Sequence, residues 1–181
     1  YTAWDLDFLM EYIIHIHHEF LKTMLLFLFG NIQEFTEKHS GKYPYLTELQ
    51  DTFEHLTSEM LPHLAQEEEI VFPYIRHLEY AHNNKEPYAA LLVKTRSRPV
   101  EDIMQHNHEA SAKYLSRLRE MTDNYTPPSG ACINHKVNFL LLRELDYDLS
   151  QHLYLENDIL FPKAIVIENE LLRQANQVAE K

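Results

Sequence analysis

The chain has 181 residues and a formal charge of −12 at neutral pH. That length suits one domain with a substantial buried core. The acidic balance argues against nucleic acid, whose phosphates need clustered Lys and Arg, and no polybasic segment offers itself to a membrane surface. The longest strongly apolar stretch, Met24 to Phe29, falls far short of the roughly 20 residues of a membrane span, and no secretory signal is visible. Cys132 is the single cysteine; it excludes an internal disulfide and fits a reducing cytoplasm.

Only three glycines stand among many Leu, Glu, Tyr, Phe and His residues, a composition of long helices with short connections. Helix A is predicted from about residue 5 to 38 on the recurrence of Leu6, Leu9, Ile13, Ile14, Leu21, Leu25 and Leu28. Ser40-Gly41-Lys42-Tyr43-Pro44 stops it and starts helix B, from about 44 to 77. Pro62 and Pro73 fall inside or beside helix B, and a kink is expected there because proline removes a backbone donor. A polar loop over residues 82–87 precedes helix C, from about 96 to 123. Asn124-Tyr-Thr-Pro127-Pro128-Ser-Gly130 is a turn, after which helix D covers about 131 to 161 and a short helix E about 164 to 178. The expected fold is all-α: one domain over 1–181, an up-down four-helix bundle of two hairpins, A–B and C–D, closed by the short C-terminal helix.

Two segments nearly repeat each other. His63-Leu-Ala-Gln-Glu67-Glu-Glu-Ile70-Val-Phe72-Pro73 and His152-Leu-Tyr-Leu-Glu156-Asn-Asp-Ile159-Leu-Phe161-Pro162 both read H-x3-E-x2-I-x-F-P. Residues i and i+4 share a helix face, so each segment presents an imidazole and a carboxylate to one point. In an antiparallel hairpin, residues equidistant from the turn lie at one level. His18 and His63 are centred on Ser40-Gly41, and His108 and His152 on Gly130. The predicted ligand set is therefore His18, His63 and Glu67 from one hairpin and His108, His152 and Glu156 from the other. Six ligands exceed the roughly four of one zinc ion. Four imidazoles and two carboxylates suit two Fe ions bridged by Glu67, Glu156 and one oxo or hydroxo group. About two of twelve octahedral positions then stay open.

Other residues fit less well. His39 lies 21 residues after His18, about 31 Å along a continuous helix, and is not expected to reach the metals. His15, Glu11, Glu101 and Tyr154 lie near proposed ligands, where they either support a ligand or are simply solvated. His17, His55, His77, His82, His106 and His135 read as surface residues, and Glu67-Glu68-Glu69 as a solvated run in which only Glu67 has the required spacing. No catalytic residue is assigned beyond the ligands.

With these residues identified, the sequence resembles the hemerythrin-like domains, and more narrowly the RIC (repair of iron centres) proteins of the YtfE/ScdA type. The first motif carries this, with Asn124-Tyr-Thr-Pro127-Pro128 followed by Ala131-Cys132, and the run from Glu144 through Phe161-Pro162. Two departures separate it from oxygen-carrying hemerythrins. Ala112 stands where they carry a second helix C histidine, and Glu156 stands four residues after His152 where they carry Asp at five. The N-terminal Cys-Cys domain of RIC proteins is not in this chain, which begins at Tyr1.

The resemblance implies a cytoplasmic non-haem di-iron protein of the oxidative and nitrosative stress response. It would support repair of damaged iron–sulfur clusters, either by donating iron or by handling nitric oxide, with a nitric oxide reductase-like reaction compatible with the open positions. The implied partners are a small gas (NO or O2) and iron–sulfur proteins, and the chain is expected as a monomer or homodimer. The competing reading is a hemerythrin-type module that binds or senses O2 or NO without catalysis.

Overall fold

The computed structural model describes residues 1–86, Tyr88, Val93 and 99–179; the side chains of 99–108 and 174–179 lie outside this description. Among the described residues every regular element is helical. The first arm is α1 (Leu6–Tyr12), π1 (Ile13–His18) and α2 (Glu19–His39) in one unbroken run. Asp5 caps it, its carboxylate accepting the Phe8 N–H at 2.7 Å. The second arm is α3 (Tyr45–Gln66), π2 (Glu67–Val71) and α4 (Phe72–Asn83). The third is α5 (Pro99–Met121), and the fourth is α6 (Ile133–Leu155), π3 (Glu156–Leu160) and α7 (Phe161–Ala179).

Three short π-helical segments are the main departure from the sequence expectation. Pro62 lies inside α3 without ending it; the α geometry changes at Glu67–Val71 instead. Helices D and E, expected as separate, form one run through π3. The prolines explain both. Pro73 and Pro162 have no N–H to give the carbonyls four residues back. The turn before each widens, so that Phe72 N–H reaches Glu67 O and Phe161 N–H reaches Glu156 O, five residues back. Helix B also runs on to Asn83 and stops at a turn where Lys85 takes φ 53°.

The apolar interior divides in two. One cluster gathers Leu9, Ile13, Phe72, Ile75, Phe161 and Ala164 from α1, π1, α4 and α7. The other gathers Leu21, Leu25, Phe53, Leu64, Leu142 and Leu149 from α2, α3 and α6. Along three arms the predicted ligands fall in the gap between them: His18 between Ile13 and Leu21, Glu67 between Leu64 and Val71, Glu156 between Leu153 and Ile159.

His135, read from the sequence as a surface residue, is fully buried. It packs among Phe35, Tyr43 and Phe139, with Nε2 3.0 Å from the Tyr45 hydroxyl. Burial, with the charges of His39 and Lys42, holds its pKa below the usual histidine value. Its i, i+4 relation to Phe139 was the signal for an inward face.

The connection between α5 and α6 is strained. Asp123, Asn124 and Tyr125 take φ of 48°, 53° and 60° in succession. Asp and Asn tolerate this conformation, but for a tyrosine it costs about 1–2 kcal/mol. Two contacts hold Tyr125 there: its N–H donates to Thr122 Oγ1 at 3.0 Å, and its hydroxyl donates to Asp146 Oδ2 at 2.8 Å. Asp146 is in turn held by Arg119 Nε at 2.7 Å. Tyr125→Phe keeps the ring and removes the hydrogen bond to a charged acceptor. It should lower stability by about 1.5–3 kcal/mol in urea unfolding; an unchanged midpoint would mean that the turn does not depend on this bond.

Candidate metal centre

The two H-x3-E motifs and helix A converge. Ring nitrogens of His18 and His152 and carboxylate oxygens of Glu67 and Glu156 all lie within 4.8 Å of one another, and all four residues are buried. The separations are short: His18 Nε2 to His152 Nε2 3.0 Å, to Glu67 Oε2 3.6 Å and to Glu156 Oε1 3.7 Å. His152 Nε2 lies 3.1 Å from Glu156 Oε1 and 3.9 Å from Glu67 Oε2. Two carboxylates at zero solvent exposure each carry a desolvation cost of several kcal/mol unless opposite charge accompanies them. A cation among these donors supplies it. Two nitrogens bound about 2.1 Å from one ion at right angles sit about 3.0 Å apart, which is the His18–His152 spacing. The donor set fits a divalent metal.

The Glu67 carboxylate faces two ways. Oε1 lies 3.1 Å from His63 Nε2, while Oε2 faces His18 and His152. His63 is buried and meets the Glu67 oxygen other than the one nearest His18 and His152. The π segments help to set this up, because Glu67 and Glu156 are the first residues of π2 and π3. His17 and His18 both sit in π1, where the wider turn reduces the angle between successive side chains, and both are buried.

His18 is anchored from behind. Its Nδ1 lies 2.8 Å from Glu68 Oε1, and both Glu68 oxygens accept from Lys22 Nζ at 2.7 Å. Burial alone would lower the His18 pKa; hydrogen bonding and charge from Glu156, with Glu67 and Glu68, outweigh it and raise it. Burial alone would raise Glu68, but the hydrogen bonds from Lys22 and His18 hold it below the usual carboxylate value. The sequence reading assigned Glu68 to a solvated run, and that reading is corrected. The available signal was Lys22, one turn after His18 on the same face. His17, also read as a surface residue, is buried, with Nδ1 3.1 Å from Asp148 Oδ1 and its ring 6.4 Å from that of His152.

Residues 9–164 match the hemerythrin HHE cation binding domain. The chain belongs to the hemerythrin HHE family. Among curated relatives, it is 31% identical over 160 residues to the iron-sulfur cluster repair protein YtfE of Edwardsiella ictaluri, covering 88% of this chain and 66% of that protein. It is 30% identical over 165 residues to the iron-sulfur cluster repair protein ScdA of Staphylococcus haemolyticus, covering 88% and 67%. It is 28% identical over 156 residues to the iron-sulfur cluster repair protein DnrN of Neisseria gonorrhoeae, covering 86% and 89%. The chain thus spans about two thirds of the first two relatives and most of the third. These matches agree with the RIC-type resemblance in the sequence.

Within this hemerythrin domain the remaining predicted residues fall as follows. His108 lies on α5, but its side chain, like those of Glu101 and His106, is outside the described residues. Its neighbour Ser111 is buried and lines a cavity of about 240 Å³ with His63, Ser58, Glu59, Pro62 and Gln66. Ala112 is exposed. His39 stands at the opposite end of α2 from His18, with Nδ1 donating to Phe35 O at 3.0 Å and Nε2 3.3 Å from Cys132 Sγ. His15 is exposed and bonds Glu11 and Glu19, Glu11 pairs with Arg76, and Tyr154 is exposed. These three belong to the solvated surface. No described helix is long and apolar enough to cross a membrane.

Glu68→Gln removes the charge that orients His18 while conserving shape. Such outer partners typically contribute 10–100-fold to metal affinity. The variant should bind metal about 10-fold or more weakly in a competition titration, with unchanged helicity; unaltered affinity would show that the Lys22–Glu68–His18 chain does not support a metal ligand.

Proposed function

We propose that this chain is a non-haem di-iron protein that supports repair of damaged iron–sulfur clusters under oxidative and nitrosative stress in the cytoplasm. The observation that carries the two-metal reading is the divided Glu67 carboxylate, with one oxygen toward His63 and the other toward His18 and His152. A carboxylate with different imidazoles at its two oxygens is suited to bridge two ions. In this reading His18, His63, His108 and His152 would hold the two irons as terminal ligands, with Glu67 and Glu156 as the carboxylates shared between them. Bound there, the pair of irons would supply redox chemistry with positions open to a small ligand such as NO or O2.

The chain's own residues do the rest. The two apolar clusters exclude water on both sides of the ligand level. Glu68 and Lys22 hold His18 in one orientation. The exposed Ala112 supplies no further imidazole, which favours a less saturated site that can release iron or take up nitric oxide over an oxygen store. Iron–sulfur proteins are the recipients in this reading; the names of the relatives support it.

Metal analysis tests the assignment. The iron-loaded protein should carry about two irons per chain. Glu67→Ala and Glu156→Ala should each lose both together, while His39→Ala should keep them. Loss of a single iron from either glutamate variant would contradict bridging. The loaded protein should also restore activity to an enzyme whose [4Fe–4S] cluster has been damaged by nitric oxide; a fully loaded protein that restores none would contradict the repair role.

A further inference from the structure

His152 is engaged at one ring nitrogen and open at the other. Its Nε2 looks toward His18, Glu156 and Glu67, at 3.0, 3.1 and 3.9 Å. Its Nδ1 is buried and meets no hydrogen-bond partner among the described residues. His18 differs, since its outer nitrogen meets Glu68 at 2.8 Å. An imidazole that gives one nitrogen to a metal carries its proton on the other, and that N–H is ordinarily engaged. The nearest polar ring to His152 besides His18 is His17 of π1, also buried, with the two ring centres 6.4 Å apart. Asp148 lies one turn before His152 on α6, so a single helix face offers both residues to His17. His17 Nδ1 lies 3.1 Å from Asp148 Oδ1. A carboxylate only accepts, so this bond puts the His17 proton on Nδ1 and leaves the Nε2 lone pair free. That Nε2 is likewise buried with no described partner. Two neighbouring rings thus carry one unused donor and one unused acceptor.

We infer that His17 is a positioning residue for His152: held by Asp148, it accepts the His152 Nδ1–H through one bridging water and so fixes the imidazole that faces the metal site. This rests on His152 being a metal ligand, as proposed above. The spacing selects the water. A direct N–H···N bond would bring the ring centres to about 5 Å, whereas two hydrogen bonds of about 2.8 Å through one water span the observed 6.4 Å. Buried waters are held by two to four polar groups, and these two nitrogens supply one of each kind. His17 is itself fixed on its other sides. Asp148 holds Nδ1, and the Tyr12 ring packs edge-on at 5.5 Å. The Asp148–His17–His152 chain therefore does for the second H-x3-E motif what Lys22–Glu68–His18 does for helix A. It also gives a role to the π1 turn, which carries His17 inward beside His18.

Ferrous iron affinity, measured by chelator competition on the full chain, tests this together with the proton spectrum of the iron-loaded protein in water. His17→Phe keeps a ring but no acceptor, and should weaken iron binding about tenfold or more. His17→Gln restores an acceptor near the Nε2 position and should stay within about threefold of the parent. In the spectrum, the N–H resonance that His152→Ala abolishes should be the one that His17→Phe shifts and loses to solvent exchange, while that of His18 stays. Diffraction from the iron-loaded parent should show one ordered water within hydrogen-bond distance of both nitrogens. If His152→Ala changes neither affinity nor spectrum, His152 is no ligand and both readings fall. If His152→Ala acts and His17→Phe does not, the ligand assignment stands and this inference is overturned. It is also overturned if every histidine N–H moves together in His17→Phe, if His17→Gln binds no better than His17→Phe, or if no water joins the two rings in the parent.

Discussion

Burying two carboxylates beside imidazoles at the junction of two apolar clusters is the constraint on which the rest of this structure depends. Glu67 and Glu156 have no solvent exposure, and at such depth a carboxylate needs opposite charge close at hand. A bound metal cation answers that need from within. His18, with Glu68 and Lys22 behind it, answers part of it from the side. One apolar cluster packs on each side of this level, with the polar layer between them.

The local backbone serves the same layer. Phe72-Pro73 and Phe161-Pro162 are more than markers of a repeated motif. Each proline withholds a donor, and the helix responds with one wide turn directly after the glutamate. The helix therefore continues through the ligand level without a break, and both glutamates enter the site from the first position of a π segment. The third segment forms without a proline and carries two buried adjacent histidines, His17 and His18.

Much of this was legible in the sequence because periodicity and turn residues locate helices, and symmetry about a turn locates facing residues. With the H-x3-E spacing, these rules pointed to His18, Glu67, His152 and Glu156, which the structure groups within 4.8 Å, to His63 beside Glu67, and to His39 at the other end of α2. The His108 side chain lies outside the described residues. Two features were not legible, for physical reasons, and a third was overlooked. Hydrogen-bond partners across helices, such as Glu68 with His18 or Asp148 with His17, depend on rotation about helix axes that spacing alone does not give. The π turns alter that rotation, so His17 lies inside where an α-helix carrying His18 inward would have turned it away. His135 was misassigned because a histidine was read as polar, although its i, i+4 relation to Phe139 marked an inward face.

Anomalous diffraction at the iron edge tests the central claim most directly. The account predicts two peaks per chain, separated by roughly the 3.5–4 Å common to two-metal sites, on either side of the Glu67 carboxylate, one beside His18 and His152 and the other beside His63. A single peak enclosed by His18, His152, Glu67 and Glu156, with His63 left uncoordinated in a fully loaded crystal, would contradict it.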